Sequence, residues 1–309
     1  MSLAIVKDEK LLYAKAFGLA DTDANEKATT SHRYRFASLS KAITGAAVSK
    51  LLESTSLNLN QKVFGTGGIL ASFGNDAALI DANIKQIEVQ HLLEHTLGGW
   101  GASCQSSTNP DDQPIMFQNN NQNRDWIIQN TISTIPLTGI PGDNFCYSNF
   151  AYSALEAVIE AYTTKNYIDY VKDTLAIPSG ATSLEVAGNE LGDKAQDEVT
   201  YYSWYNPYIW NISRMAGHGG WMSTPIDYLR IMTKLDGGNH RPDLLSEEGL
   251  NIFYADSVVV ADDAWNVSDA IYLKGLMRNN AASRWEHNGN LSGTIAEYLR
   301  YDDGFSIMA

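Results

Sequence analysis

The sequence predicts an α+β fold in which one antiparallel sheet is built from both ends of the chain. Three observations predict it. Residues 3–17, LAIVKDEKLLYAKAF, are two β-prone runs around the polar turn Lys7-Asp8-Glu9-Lys10. Residues 294–308, TIAEYLRYDDGFSIM, repeat that arrangement around Asp302-Asp303-Gly304. Between them, apolar residues recur mostly at helical spacing. The expected division is an α/β part, 1–36 and 214–309, enclosing a mainly helical part, 37–213.

The helical elements follow in order. In SLSKAITGAAVSKLLE, residues 38–53, Leu39, Ala42, Ile43, Ala46, Ala47 and Leu51 keep helical spacing. The middle of this segment is small and apolar nearly all round, which marks a buried helix. A second helical pattern covers 84–95 and stops at Gly98-Gly99. Residues 105–124 are rich in Ser, Asn, Gln and Asp and predict a long loop. A third helix runs from Asn149 to Thr163. A fourth starts at Thr224, with Thr224 as N-cap and Pro225 in the first turn.

Composition narrows the function classes. The chain of 309 residues is 44% hydrophobic and 19% charged, as a globular protein is. Its net charge of -14 repels phosphate backbones and argues against nucleic-acid binding. No apolar run approaches the roughly 20 residues of a membrane helix. No secretory leader is visible, and Met1-Ser2-Leu3 runs straight into a strand. Export with a leader lying outside this sequence stays open. Cys104 and Cys146 could form one bond but make no disulfide framework, and free thiols are expected.

Three short motifs carry chemistry. Ser38-Leu39-Ser40-Lys41 is an S-x-x-K tetrad at the head of the buried helix. Its i,i+3 spacing puts Ser38 and Lys41 on one face. A serine hydroxyl needs a base, and a lysine among apolar neighbours loses part of its preference for charge. Tyr147-Ser148-Asn149 follows the turn PGDNFC and precedes a helix. A tyrosine near an ammonium is a plausible proton shuttle. His287-Asn288-Gly289 reads as a strand that leaves one imidazole exposed, with Gly289 letting a substrate lie close to the backbone. Each motif alone also has a structural explanation, as caps and core residues. A fourth stretch, HLLEHT from 91 to 96, fits H-x-x-E-H. On one helix, His91 and His95 would share a face and could hold zinc, with Glu94 as base.

The order and spacing of the pieces resemble the serine β-lactamase and penicillin-binding-protein superfamily, nearest to class C β-lactamases and their esterase and D-aminopeptidase relatives. FASLSK, YSN and HNG match its three motifs in order. GHGGWMSTPIDYLRIM, 217–232, resembles its glycine-rich segment and following helix. VQHLLEHTLGG, 89–99, resembles its His-Leu-Leu-x-His-Thr-Ser-Gly segment. The resemblance implies one catalytic domain and an acyl-enzyme mechanism on a small ester, amide or peptide. It makes Ser38 the nucleophile, Lys41 and Tyr147 the proton carriers, and Asn149 and His287 substrate-side groups. Backbone N–H groups of Ser38 and Asn290 would stabilise the oxyanion beside Gly289. It calls for no metal or organic cofactor and makes His91 and His95 structural residues.

The chain departs from that pattern in four places. Leu97 stands where serine is usual. His287 stands where β-lactamases and transpeptidases have lysine. The deacylating glutamate loop of class A enzymes is not recognisable. Helices that relatives place before the first strand and after the last are missing, so truncation at both ends and an uncovered apolar patch or sheet edge are expected. Two alternatives remain: a catalytically silent binding or scaffold protein, and a zinc protease using His91, Glu94 and His95.

Overall fold

The computed structural model describes residues 1–101, 116–117, 120–238, 240–255 and 270–309. The chain opens with β1 (Ser2–Lys7) and β2 (Lys10–Ala16). Asp8 and Glu9 between them both take positive φ, 48° and 59°. That pair of left-handed residues matches the twist of a two-residue hairpin, here built without glycine. Short strands β3 (Leu19–Asp21), β4 (Glu26–Lys27) and β5 (Tyr34–Arg35) lead to helix α1 (Ser40–Ser54). Next come α2 (Val89–Leu93), α3 (Arg124–Thr134), α4 (Asn149–Thr163) and α5 (Tyr167–Val171). Strands β6 (Glu185–Val186) and β7 (Trp221–Ser223) precede α6 (Pro225–Met232) and α7 (Glu247–Phe253). The chain returns to the sheet as β8 (Ala270–Tyr272), β9 (Met277–Asn279), β10 (Arg284–Leu291), β11 (Thr294–Tyr301) and β12 (Phe305–Met308).

The main sheet is antiparallel in the order β2-β1-β12-β11-β10-β9-β8. Both chain ends therefore share it, as expected. Ala4 pairs with Met308 and Leu299 with Ile307. Ala4 and Val6 point inward, as the two-residue period of a strand requires. Helix α6 packs on β1 and β12, and the turn before α1 packs on β10 and β11. Thr224 caps α6 by accepting from the Asp227 N–H, with Pro225 in the first turn. The edge strand β2 leaves Leu11, Leu12 and Tyr13 exposed.

Helix α1 is buried over most of its length, among α4, α5 and α7. Its small residues allow this. A Cβ on Gly45 would collide with the Lys274 carbonyl, and one on Gly275 with the Lys41 carbonyl. The turn at 273–276 thus interlocks with α1 one helical turn after Ser38.

Two expectations are corrected. Residues 84–95 are not one helix: a 3-10 segment, Ala82–Gln86, is followed by α2. Ile87 is extended, because its carbonyl accepts from Val63 N–H while Val89 N–H donates to Gln61. Tertiary pairing overrides helical periodicity there. Cys146 is disulfide-bonded rather than a free thiol, consistent with its burial, while Cys104 lies outside the described residues. Most of the loop expected at 105–124 also lies outside them.

Candidate active site

Ser38 lies in a 3-10 turn, Ala37–Leu39, immediately before α1. Ala37 takes φ 48°, a left-handed conformation that costs a non-glycine residue about 1 kcal/mol or more. The neighbouring strand holds the turn in place. A Cβ on Gly289 of β10 would collide with the Phe36 carbonyl oxygen, so only glycine lets β10 press this closely against it.

Lys41 follows one turn later in α1 and is fully buried. Its Nζ donates to Ser38 Oγ at 3.2 Å, Asn149 Oδ1 at 2.7 Å and the His218 carbonyl at 2.9 Å. All three acceptors are uncharged. Asn149 can reach Lys41 because it is not the cap of α4. Ser148 is the N-cap, accepting from Ala151 N–H at 3.2 Å and donating to the Trp100 carbonyl at 2.7 Å. The Asn149 amide is left to point inward from the first turn.

Tyr147 is buried with its ring beneath Lys41, whose Nζ lies 4.7 Å from the ring centroid. His95 packs on the same ring at 4.5 Å, and its Nδ1 accepts from Ser148 N–H at 3.0 Å. His95 therefore fixes the backbone of the Tyr-Ser-Asn turn.

His287 differs from expectation. It is 1% exposed, not open on one side. Its Nδ1 donates to the Asn288 carbonyl at 2.6 Å, so Nε2 is the acceptor for the Tyr272 hydroxyl at 3.2 Å. Its ring centroid is 6.4 Å from that of Tyr147. Burial, and next the Lys41 ammonium, push its pKa down to about 3. The same two causes push His95 and His218 well below the ordinary imidazole value. Lys41 thus sits among three imidazoles that all stay neutral at pH 7.

A cavity of about 350 Å³ opens above this group, lined by Ser38, Tyr147, Asn149, His218, Gly289 and Asn290. Lys41 reaches it through Ser38, and His287 stands behind it. His218 escaped the sequence reading, which treated GHGG only as a glycine-rich segment. Its carbonyl accepts a hydrogen bond from Lys41 Nζ, and its Nε2 has no hydrogen-bond partner among the described residues.

The zinc alternative loses its geometry. Helix α2 ends at Leu93, and His95 takes φ 58° outside it, so His91 and His95 do not share a helical face. His91 Nδ1 accepts the Glu88 N–H in a capping box. Glu94 pairs with the buried Lys274 at 2.7 Å. Among the described residues no group of three or more His, Cys, Asp or Glu is placed to hold a metal ion. No described helix is long and apolar enough to cross a membrane.

Comparison with known proteins agrees with this architecture. Protein flp of Staphylococcus aureus (strain MRSA252) is 28% identical over 200 residues, which is 65% of this chain and 37% of that protein. Penicillin-binding protein 4* of Bacillus subtilis (strain 168) is 24% identical over 196 residues, 62% of this chain and 39% of that protein. The matches thus span little more than a third of these relatives' length. Among solved structures, an octameric penicillin-binding protein homologue from Pyrococcus abyssi superposes with TM-score 0.77 at 20% identity, covering 99% of this chain and 68% of that one. A D-amino acid amidase from Ochrobactrum anthropi SV3, complexed with L-phenylalanine, gives TM-score 0.75 at 20% identity, covering 99% and 84%. At such identities the superpositions speak for the fold alone. The Beta-lactamase family itself matches residues 1–306, almost the whole sequence, and the chain belongs to that family.

Proposed function

We propose that this protein is a serine hydrolase that forms an acyl-enzyme on Ser38. The observation that carries the reading is the hydrogen-bonded group Ser38–Lys41–Asn149 at the wall of one cavity. A neutral lysine has two N–H groups and one lone pair. Once the Lys41 ammonium releases to solvent the proton it points at Ser38 Oγ, Asn149 Oδ1 and the His218 carbonyl can hold its remaining hydrogens and the lone pair can accept the Ser38 proton. Ser38 Oγ then bonds the substrate carbonyl carbon, and the oxyanion faces the backbone N–H groups of Ser38 and Asn290. Losing one such donor typically costs about 3–4 kcal/mol in the barrier. Lys41 and Tyr147 return the proton to the leaving group as its bond to carbon breaks. Water then attacks the acyl carbon and gives a proton to the same pair, and that proton passes to Ser38 Oγ as the acyl–Oγ bond breaks, which releases the acid and restores the hydroxyl. This scheme requires no metal or organic cofactor.

The substrate class proposed is a small uncharged ester or amide. No Asp, Glu, Lys or Arg is among the described residues that line the cavity. His287, neutral and turned toward Tyr272, offers no cation to the carboxylate that β-lactams carry. A p-nitrophenyl ester is expected to give higher kcat/KM than a chromogenic cephalosporin, and the reverse order would remove His287 from the account of specificity.

The deciding experiment is covalent labelling with a fluorophosphonate, read by intact mass. One adduct is expected on the wild type and none on Ser38→Ala, whose ester hydrolysis should fall by several orders of magnitude. A wild type that takes no label would instead favour the binding or scaffold reading.

A further inference from the structure

A row of aromatic rings leads from the Ser38 cavity to the surface. Phe117, on the cavity wall, has its ring centroid 6.4 Å from that of His218. Trp210 lies 5.0 Å beyond Phe117, Tyr205 lies 6.0 Å beyond Trp210, and Trp204 lies 5.7 Å beyond Tyr205. The outer part borders a cleft of about 800 Å³, lined also by Tyr202, Ser292 and Ile295. This cleft and the Ser38 cavity share Asn290, Leu291 and Ile295 on their walls, so the two adjoin.

Two of these side chains are unusually open. Trp204 is 97% exposed and Ile295, at the start of β11, is 85% exposed. Large apolar side chains grouped around one depression are a mark of binding surfaces, whereas scattered ones are not. The segment carrying the rings is tied down. Tyr208 Oη accepts from Tyr201 N–H at 3.0 Å, Asn211 Nδ2 donates to the Asn120 carbonyl at 2.8 Å, and Ser292 Oγ donates to the Tyr205 carbonyl.

The chemistry of the lining defines the occupant. No acidic or basic side chain lines the cleft among the described residues. An ammonium or carboxylate entering it would lose water without gaining a partner. Two of the polar groups beside the rings are engaged, Ser292 Oγ on the Tyr205 carbonyl and Tyr202 Oη on Asp21 at 3.1 Å. Ring faces and edges remain, and these suit another ring or an alkyl chain.

We propose that this aromatic lane is a subsite for an uncharged arylalkyl or long alkyl group carried by the substrate whose carbonyl meets Ser38. The proposal rests on the serine-hydrolase reading and adds the part of the substrate remote from the scissile bond. Contacts made there raise kcat/KM for the extended substrate relative to a short one.

Two ester series test it, one extending the acyl side (p-nitrophenyl acetate against p-nitrophenyl 4-phenylbutanoate) and one the alcohol side (ethyl acetate against 4-phenylbutyl acetate). Trp204→Ala and Tyr205→Ala are compared with wild type. The ratio of kcat/KM, extended over short, should fall by about tenfold in at least one series. Trp204 is almost wholly solvent-exposed, so its replacement does not threaten folding. A second measurement is independent of turnover: 4-phenylbutanamide should quench tryptophan fluorescence of Ser38→Ala protein and bind more weakly to Ser38→Ala/Trp204→Ala. Unchanged ratios in both series, with no Trp204-dependent binding, overturn the subsite while fluorophosphonate labelling of Ser38 leaves the hydrolase reading intact. Trp204-dependent binding by a protein that takes no label keeps the subsite and overturns the hydrolase reading.

Discussion

Ser38 is presented to the cavity by residues that carry no reactive atom. Ala37 holds a left-handed conformation, and Gly289 lets β10 clamp the turn from the sheet side. A methyl group at 289 would have to push strand and turn apart. A displacement of about 1 Å at a nucleophile can cost on the order of 100-fold in rate. Gly289→Ala is therefore expected to slow fluorophosphonate labelling by about that factor while the protein still melts cooperatively. A labelling rate within a few-fold of wild type would mean that the clamp does not position Ser38. At this scale the sequence was informative where chemistry is local: Ser38 and Lys41 are one helical turn apart, and Asn149 opens a helix. It misled at His287, because alternation along a strand does not say which face is buried. His218 gave no signal, since its contribution is a backbone carbonyl.

Among the elements, the turn at 273–276 is the piece that braces α1 from below. Gly275 lies against the Lys41 carbonyl, and Lys274 reaches back to Glu94 at the end of α2 and to the Ala255 carbonyl at 2.9 Å. Lys274 is 2% exposed, so the pair with that carboxylate is held away from water. Breaking a buried pair by removing one partner typically costs about 3–5 kcal/mol, whereas replacing both by apolar residues is often nearly neutral. Lys274→Met and Glu94→Leu should each destabilise by roughly that amount, and the double variant should recover most of it. Denaturant melts of the four proteins measure the coupling, and strictly additive losses would show that the pair contributes nothing. This contact could not have been read from the sequence, because Glu94 and Lys274 meet only once α2 and the sheet are assembled. The hairpins and α4 were legible because their signals are local: β-prone runs around a polar turn, and an apolar run opening after an N-cap. The break at Ile87 was not, because residues 59–63 impose it.

For the whole molecule, the acidic side of the pH range is the vulnerable one. His95, His218 and His287 are buried neutral, with folded pKa values below the unfolded value of about 6.5. The unfolded chain then binds more protons than the folded one below pH 6.5, so stability falls as pH drops through that window. At pH 5 the His287 imidazole costs roughly 2 kcal/mol, and His95 and His218 act in the same direction. Glu156 acts in the opposite sense: burial pushes it up to about 7 against the pull of Arg124, so it gains stability on acidification. Burial shifts His91 in the same direction as the three histidines, and Asp236 and Asp243 in the direction of Glu156. With the fully buried imidazoles dominant, the melting temperature is expected to drop by roughly several degrees between pH 7 and pH 5. An unchanged or higher value at pH 5 would show that these histidines are not held neutral.

The sheet order has a consequence in time as well as in space. Strand β12 lies between β1 and β11, so the hairpin of residues 2–16 has no partner on its β1 side until residues 305–308 arrive. The helical segments can collapse earlier, but the clamp on the Ser38 turn belongs to β10, which is also late. Pairing β1 with β12 joins residues as far apart in sequence as Ala4 and Met308, which slows folding and leaves an open strand edge in the interim. The Ser38 turn thus lacks its clamp until β10 has been made, and the unpaired β1 edge is the place where two unfinished chains would meet.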